Sequence, residues 1–388
     1  VLDPLIAQAV GAKDETAIAL AVQRGLLFSV VLRLLTGILL LPAEAVLRAL
    51  HQPEELVPLA ASYVLICIPS FLPFNAFLVF RQLLQALSLT REIVITIILC
   101  NLANVALNWL LIFGNYGFPS LGVAGAALAT AISRTLLVVI LVALTWRTLR
   151  VYMKPLRREV FQAAPLARML KLGLPIGAQQ ELEVAYFGGL IVLMGLLGTI
   201  SVAAHQVAIN LASLTFMVPV GVASATAVFV GRAVGAGDER AVRRYAVAGL
   251  ACGVGFMCVA AAIFLLLPWE LARMYSRDAE VVALAAGLIP IAGLFQVFDG
   301  TQVVSSGILR GIGDTRFPML ASALGFWLVG LPLSVFLGFS GGLGAEGLWW
   351  GSLVALIAVA ALLLYRVRAR LRQSMARVII DRGPAESG

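Results

Sequence analysis

Apolar tracts of about twenty residues, separated by short polar segments, run along almost the whole chain. A helix of that length crosses the hydrocarbon core of a bilayer, and a helix satisfies its own backbone hydrogen bonds in lipid. Residues 1–9 are interpreted as the end of a further span. The pattern predicts an all-α, polytopic membrane protein with ten complete spans, near residues 19–41, 56–79, 92–113, 121–146, 172–194, 202–229, 242–267, 281–305, 317–338 and 345–365.

The two halves of the chain resemble each other at an offset of about 225 residues, as in transporters built from repeats. Because six spans separate matching points, the halves share one orientation in the membrane. This predicts two six-helix lobes related by a pseudo-twofold axis along the membrane normal. The helix before Gly235 has no full counterpart before Gly11, so we expect about fifty further residues upstream, comprising the first helix and most of the second. The matching segments are 8–15 with 232–239, 39–42 with 265–268, 90–91 with 315–316, and 121–125 with 343–347.

Basic residues fall almost entirely on one side of the predicted spans, and the other side carries only Arg48, Arg273 and Arg277. Cytoplasmic loops of membrane proteins show this excess, so the C-terminus is predicted to be cytoplasmic. The bias accounts for the net charge of +8 without a nucleic-acid partner, in a chain with 61% apolar and 12% charged residues. The predicted parts are an N-lobe (1–146), a cytoplasmic linker (147–171), a C-lobe (172–366) and a basic cytoplasmic tail (367–388).

Two carboxylates lie deep within predicted spans of the second half. Glu183 is about twelve residues into its span, and Asp299 is similarly deep in another. A carboxylate in lipid needs a proton, a cation or a partner, and no basic residue in the spans of that half is available to pair with either. The two residues therefore predict an ion-coupling site for a proton or a monovalent metal cation. The structural alternative is that both acids are protonated and hydrogen-bond between helices.

Amide side chains are candidates for supporting polar groups. Gln206 and Asn210 are one helical turn apart and present oxygens on one face, which suits a hard cation such as sodium. Asn104 and Asn108 have the same spacing in the first half, where interhelical packing is the alternative role. Glu181 is two residues from Glu183 and is predicted to lie on a different helix face.

Several motifs coincide with these positions and together resemble the multidrug and toxic compound extrusion (MATE) family, in its bacterial NorM-type branch. The resemblance implies twelve helices in two lobes and drug–cation antiport, with Glu183 and Asp299 as the coupling carboxylates. The family's aspartate on the first helix falls outside this sequence. Tyr186, Phe295 and Gln302 are expected in the substrate cavity. The motifs are 173–177 with Glu183, 202–210, 295–299 with 302–304, 309–311 with 314–315, and 104–108 with 113–114.

The sequence thus predicts a secondary antiporter that exports organic, cationic compounds in exchange for Na⁺ or H⁺ and requires no other cofactor. We expect a monomer in the inner membrane of a bacterium, with the lipid bilayer and a small organic substrate as its partners. A lipid-linked oligosaccharide flippase of related fold is one alternative, but its pyrophosphate would need a cavity rich in Arg and Lys. Mid-span candidates for such a role are Arg33 and Arg134 alone. A membrane-embedded enzyme is a further alternative, which the absence of a nucleophile–base pairing in the sequence disfavours.

Overall fold

A computed structural model describes residues 2–49 and 53–381, and these residues form helices joined by short turns, without a β-strand. The predicted all-α fold is confirmed. The α-helices are α1 (Leu2–Gly11), α2 (Glu15–Leu40), α3 (Ala43–Ala49), α4 (Val57–Cys67), α5 (Phe71–Ala86), α6 (Arg91–Phe113), α7 (Gly122–Met153), α8 (Ala163–Leu196), α9 (Thr199–Gly235), α10 (Glu239–Leu266), α11 (Pro268–Tyr275), α12 (Ala279–Ile312), α13 (Arg316–Ser322), α14 (Leu331–Val335) and α15 (Gly344–Arg370). Short 3₁₀ turns occupy Ile68–Ser70, Asn115–Gly117 and Arg158–Phe161, and π-helical segments occupy Ala323–Gly330 and Phe336–Ser340.

Each of the ten predicted spans coincides with a helical segment. Among the described residues, nine segments are long and apolar enough to cross a membrane. The tenth, α8, has 34 residues and is long enough, but the polar run at 179–183 interrupts its apolar tract. The chain is therefore a multi-pass membrane protein, and the helix with the interrupted apolar tract is the one that carries Glu183.

Helix ends differ from the predicted boundaries at two places. The α7 helix continues to Met153 and α8 begins at Ala163, so most of the predicted linker 147–171 is helical. The α15 helix continues to Arg370, beyond the predicted start of the tail, and the part of the tail at 382–388 lies outside the described residues. Hydropathy marks where a helix leaves lipid, whereas the backbone hydrogen bonds continue into the polar segment beyond.

The chain divides into two compact units. One contains residues 14–166, and the other contains residues 167–381 together with residues 3–13, which include most of α1. The sequence prediction assigned α1 to the first lobe, whereas residues 3–11 of α1 belong to the second unit, where they contact α9 and α12. In the second unit α12 is the central helix, packed against α9, α10 and α15, and 61% of its most apolar window is buried.

The repeat seen in the sequence recurs in local structure. Asp14 caps α2 by accepting a hydrogen bond from the Ala17 amide at 3.0 Å, and Asp238 caps α10 in the same way from the Ala241 amide at 2.9 Å. The residue before each cap has positive φ. This residue is Gly237 in the second half, where φ is +71°, but Lys13 in the first, where φ is +56°.

The contact between α1 and α9 depends on one glycine from each helix. A Cβ added at Gly11 would overlap the carbonyl oxygen of Arg232, and a Cβ added at Gly235 would overlap that of Gln8. These four residues occupy equivalent positions of the repeat, so the contact is reciprocal. Small residues allow membrane helices to approach at backbone distance, which explains the packing of α1 with the second unit.

The tail after α15 returns to α1 through Gln8. This side chain is fully buried, its amide nitrogen donates to the Gly311 carbonyl at 2.9 Å, and its Oε1 accepts from the Val378 amide at 2.7 Å. Ile380 is also buried. The tail is therefore held against the second unit by a hydrogen bond between residues 370 positions apart in sequence.

Replacing Gln8 by leucine is expected to release this tail. The Gly311 carbonyl and the Val378 amide would lose their partners, and each buried, unpaired group costs about 1–3 kcal/mol. Limited trypsin digestion of membranes should then cleave after Arg372 and Arg377 faster than in wild type. Gln162→Leu, which changes an exposed glutamine, is the control and should leave the rate unchanged. Equal cleavage rates for wild type and Gln8→Leu would contradict the prediction.

Candidate functional site

The second unit contains a cavity of about 430 Å³ at mid-length of α8 and α12. Glu183 from α8 and Asp299 from α12 both line it. The α9 helix and the π-helical segment Ala323–Gly330 complete the wall. The other lining residues are Gln180, Val184, Phe187, Gly188, Ile191, Ile209, Ala212, Ser213, Phe216, Phe295, Gln302 and Phe326.

One oxygen of Glu183 accepts three side-chain hydrogen bonds. Its Oε1 accepts from the amide nitrogens of Gln179 at 3.0 Å and Gln302 at 2.8 Å, and from the hydroxyl of Ser322 at 3.0 Å. Carboxylate oxygens accept several bonds in this manner, and bonds to a charged group are stronger than neutral ones. The arrangement fixes the orientation of the carboxylate and leaves Oε2 without a donor among the described residues.

Asp299 differs from Glu183 in its surroundings. The side chain is half-buried, and within residues 2–49 and 53–381 no hydrogen bond or ion pair reaches its carboxylate. No Lys or Arg is among the described residues that line the cavity. A carboxyl group in such a largely apolar cavity needs a proton, a cation or a partner.

Four phenylalanines supply most of the apolar wall. The ring of Phe187 lies 6.1 Å from that of Phe295 and 6.1 Å from that of Phe326, measured between centroids, and Phe216 faces the same space from α9. Aromatic faces attract organic cations through the ring quadrupole. The cavity therefore combines two carboxyl groups with an aromatic wall.

Of the residues predicted for the substrate cavity, Phe295 and Gln302 line it and Tyr186 does not. Tyr186 is 1% exposed, and its hydroxyl lies 3.0 Å from that of Ser352 and 3.4 Å from that of Ser334. Residues three apart on an α-helix are about 60° apart around its axis, and Glu183 is at the edge of the cavity face of α8, so Tyr186 lies just beyond that edge. Its role in this structure is packing between α8, α14 and α15.

Gln206 and Asn210 are also absent from the described lining of the cavity. Both are exposed, and they bond to each other at 3.1 Å. The face of α9 that meets the cavity carries Ile209, Ala212 and Ser213 instead. The spacing of Gln206 and Asn210 correctly placed them on one face, but spacing alone does not say which face turns toward the carboxylates.

The predicted polar residues of the first unit form a short chain of their own. Asn108 donates to the Oδ1 of Asn104 at 3.0 Å, and Asn104 donates to the hydroxyl of Ser133 at 3.1 Å. Both asparagines are half-buried. This chain links α6 with α7 within that unit. In the second unit, Glu181 is exposed and is not among the described residues that line the cavity.

Sequence reasoning missed Gln179, Ser322 and Phe216. Gln179 precedes Glu183 by one helical turn, a spacing that places both on one face, and this signal was available. Ser322 carries no such signal, because its contact with Glu183 joins residues 139 positions apart. Phe216 follows Ala212 by one turn on α9 and could have been found only once the cavity face of α9 was known.

Comparison with known proteins identifies the family. The model of the MatE family matches residues 2–110 and 175–336. A protein of Mesorhizobium japonicum named "Probable multidrug resistance protein NorM" is 37% identical over 375 residues, covering 94% of this chain and 80% of its own. The "Multidrug resistance protein NorM" of Burkholderia vietnamiensis is 35% identical over 373 residues, covering 93% of this chain and 79% of its own.

Solved structures share the fold. A multidrug resistance MATE family transporter in an outward-facing conformation aligns with a TM-score of 0.87 at 19% identity, over 96% of this chain and 82% of its own. The MATE transporter VcmN of Vibrio cholerae, in its bent form, aligns with a TM-score of 0.82 at 21% identity, over 96% of this chain and 83% of its own. The family model covers well over half of the chain, and the chain therefore belongs to the MatE family of membrane proteins.

Proposed function

We propose that this protein exports organic cations from the cytoplasm in exchange for inward-moving Na⁺ or H⁺. The observation that carries the proposal is the pair Glu183 and Asp299 in one phenylalanine-lined cavity of about 430 Å³. Cavities of roughly 300–1,000 Å³ hold drug-sized molecules, so the space suits an organic substrate as well as an ion. Relatives named multidrug resistance proteins, at 32–37% identity, support export of several compounds.

The seat of the coupling ion follows from the two carboxylates. Three donors occupy Glu183 Oε1, which leaves Oε2 and both oxygens of Asp299 to bind a cation or a proton. Sodium is a hard cation that prefers oxygen ligands, and these oxygens with the Ser213 hydroxyl provide them. A proton needs only one of the same oxygens. Either ion fits these oxygens, and either would be a transported substrate of the exchange.

Exchange requires that each ligand changes the balance between two conformations. An ion bound at Glu183 and Asp299 neutralises the cavity and favours one state, and the organic cation competes for the same negative charge and favours the other. The absence of Lys and Arg from the described lining supports a cationic rather than a pyrophosphate-bearing substrate. We infer a bacterial inner-membrane protein, active as a monomer without further cofactors, with a cytoplasmic C-terminus.

Efflux measured under separate ion gradients tests the proposal. Everted membrane vesicles containing the protein are loaded so that either Na⁺ or H⁺ is more concentrated in the lumen than outside. Accumulation of ethidium in the lumen is followed by fluorescence. We expect accumulation under one of the gradients and its collapse when the matching ionophore is added. Vesicles without the protein are the control. If the protein is present in the membrane and ethidium movement does not depend on either gradient, the exchange mechanism is contradicted.

A further inference from the structure

The helical segment after α12 is unusual because it alternates between α- and π-helix. The α13 helix ends at Ser322, the π segment Ala323–Gly330 follows at once, and α14 and a second π-helical turn continue to Ser340. A π-helix bonds residue i to i+5, so each wide turn adds a residue and changes which side chains face a neighbour. Such turns are rare and are found frequently at functional sites.

The π segment and the residue before it contact α8 at three positions. The Trp327 indole nitrogen donates to the Leu182 carbonyl at 3.2 Å, and the ring of Phe326 lies 5.0 Å from that of Tyr186. Ser322, the last residue before the segment, donates to Glu183 Oε1. Three residues close together in sequence thus contact α8 at Glu183 or within three residues of it.

The other side of the π segment is fixed by α15. A Cβ added at Gly325 would overlap a methyl group of Val359, and one added at Gly330 would lie 2.6 Å from the Cβ of Ala355. Ser322 itself is fully buried. Close packing against α15 at these two glycines therefore holds the register of the segment, with Ser322 buried at its start.

We propose that Ser322, held in register by the π segment, is a positioning residue that orients Glu183 for the coupling ion. The inference rests on the proposed ion-coupled export and assigns a third helix to the ion seat besides α8 and α12. Ser322 donates to Glu183 Oε1, the oxygen that also accepts from Gln179 and Gln302, and not to Oε2, where the ion would bind. Its hydroxyl therefore acts through Glu183, by stabilising one orientation and the charged form, and not by contact with the substrate.

The test compares variants of Ser322 by the concentration of the driving ion, Na⁺ or H⁺, that gives half-maximal ethidium efflux. Ser322→Ala removes a hydrogen bond to a charged group, and we expect that concentration to move about tenfold while the maximal rate stays within about twofold. Ser322→Cys keeps the size of the side chain but donates weakly, and it should move the concentration in the same direction. Ser322→Thr keeps the hydroxyl and should match wild type.

Ser334→Ala is the matched control. Ser334 is another fully buried serine of the same helical segment, and its hydroxyl donates to the Leu348 carbonyl instead of Glu183. It should leave the half-maximal ion concentration unchanged. Wild-type values for both Ser322→Ala and Ser322→Cys, with wild type itself ion-driven, would overturn the role of Ser322 alone. If ethidium efflux by the wild-type protein depends on neither gradient, the proposed function is overturned and this inference with it.

Discussion

Glu183→Gln and Asp299→Asn are each expected to lower gradient-driven export of an organic cation at least tenfold. Each substitution keeps the size and polarity of the side chain but removes the charge that an exchangeable cation or proton requires. Coupling free energies between ligands are typically 1–3 kcal/mol, which corresponds to about 5–150-fold, and losing a member of the seat removes that coupling. The measurement is the initial rate of ethidium accumulation in everted vesicles under the driving gradient.

Glu181→Gln provides a matched control for the first of these variants. It makes the same chemical change on the same helix, two residues away, at an exposed side chain outside the described cavity lining. We expect its export rate to stay within about twofold of wild type, the effect of a surface substitution. Equal losses of export rate for Glu181→Gln and Glu183→Gln would show that loss of any charge on α8 lowers export. The position of Glu183 in the cavity would then not explain its effect.

Gly235→Ala is expected to destabilise the second unit substantially. The new methyl group would overlap the Gln8 carbonyl, and a backbone oxygen cannot move aside without separating α1 from α9. Overpacking of this kind typically costs about 1–3 kcal/mol. The melting temperature of the protein in detergent should fall by several degrees, as measured by the loss of the monodisperse peak after heating. Gly11→Ala should act alike, since its methyl group would overlap the Arg232 carbonyl.

Gly221→Ala separates this effect from helix propensity. Gly221 lies on the same helix, α9, and a methyl group added there would meet no atom of a neighbouring element within 4 Å. Alanine is favoured over glycine inside a helix by roughly 0.5–1 kcal/mol, so the melting temperature should stay or rise. If Gly235→Ala were as stable as Gly221→Ala, the close contact between α1 and α9 would not stabilise the fold.

The physics of each structural feature decides whether the sequence could predict it. The spans were predictable because the bilayer sets both the length and the polarity of a membrane helix. Among the long helices that the structure describes, only α8 falls outside the simple pattern, because Gln179, Gln180, Glu181 and Glu183 interrupt its apolar tract. The depth of Glu183 and Asp299 was likewise readable, since rise per residue converts sequence position into depth. Their common cavity required α8 and α12 to present those faces to each other.

The rest of the site depended on how helices rotate about their axes. Gln206 and Asn210 share a face of α9, but the packing of α9 against α12 turns Ile209 and Ser213 to the cavity. Close approach at Gly307 and Gly311, whose added Cβ atoms would lie 2.6 Å from carbonyl oxygens of α9, sets that rotation. Ser322 depends in addition on a π-helical register, which no periodicity in the sequence indicates.

Substrate binding should displace the coupling ion from Glu183 and Asp299, and this displacement can be measured on purified protein. Purified wild-type protein in weakly buffered detergent, loaded with radiolabelled sodium, is mixed with saturating tetraphenylphosphonium, and released sodium and protons are both counted. If the two ligands compete for the negative charge of Glu183 and Asp299, binding must release the ion. We predict about one cation released per protein by wild type and none by the double variant Glu183→Gln/Asp299→Asn. Release of neither ion when wild type binds the substrate, or undiminished release from the double variant, would contradict the account.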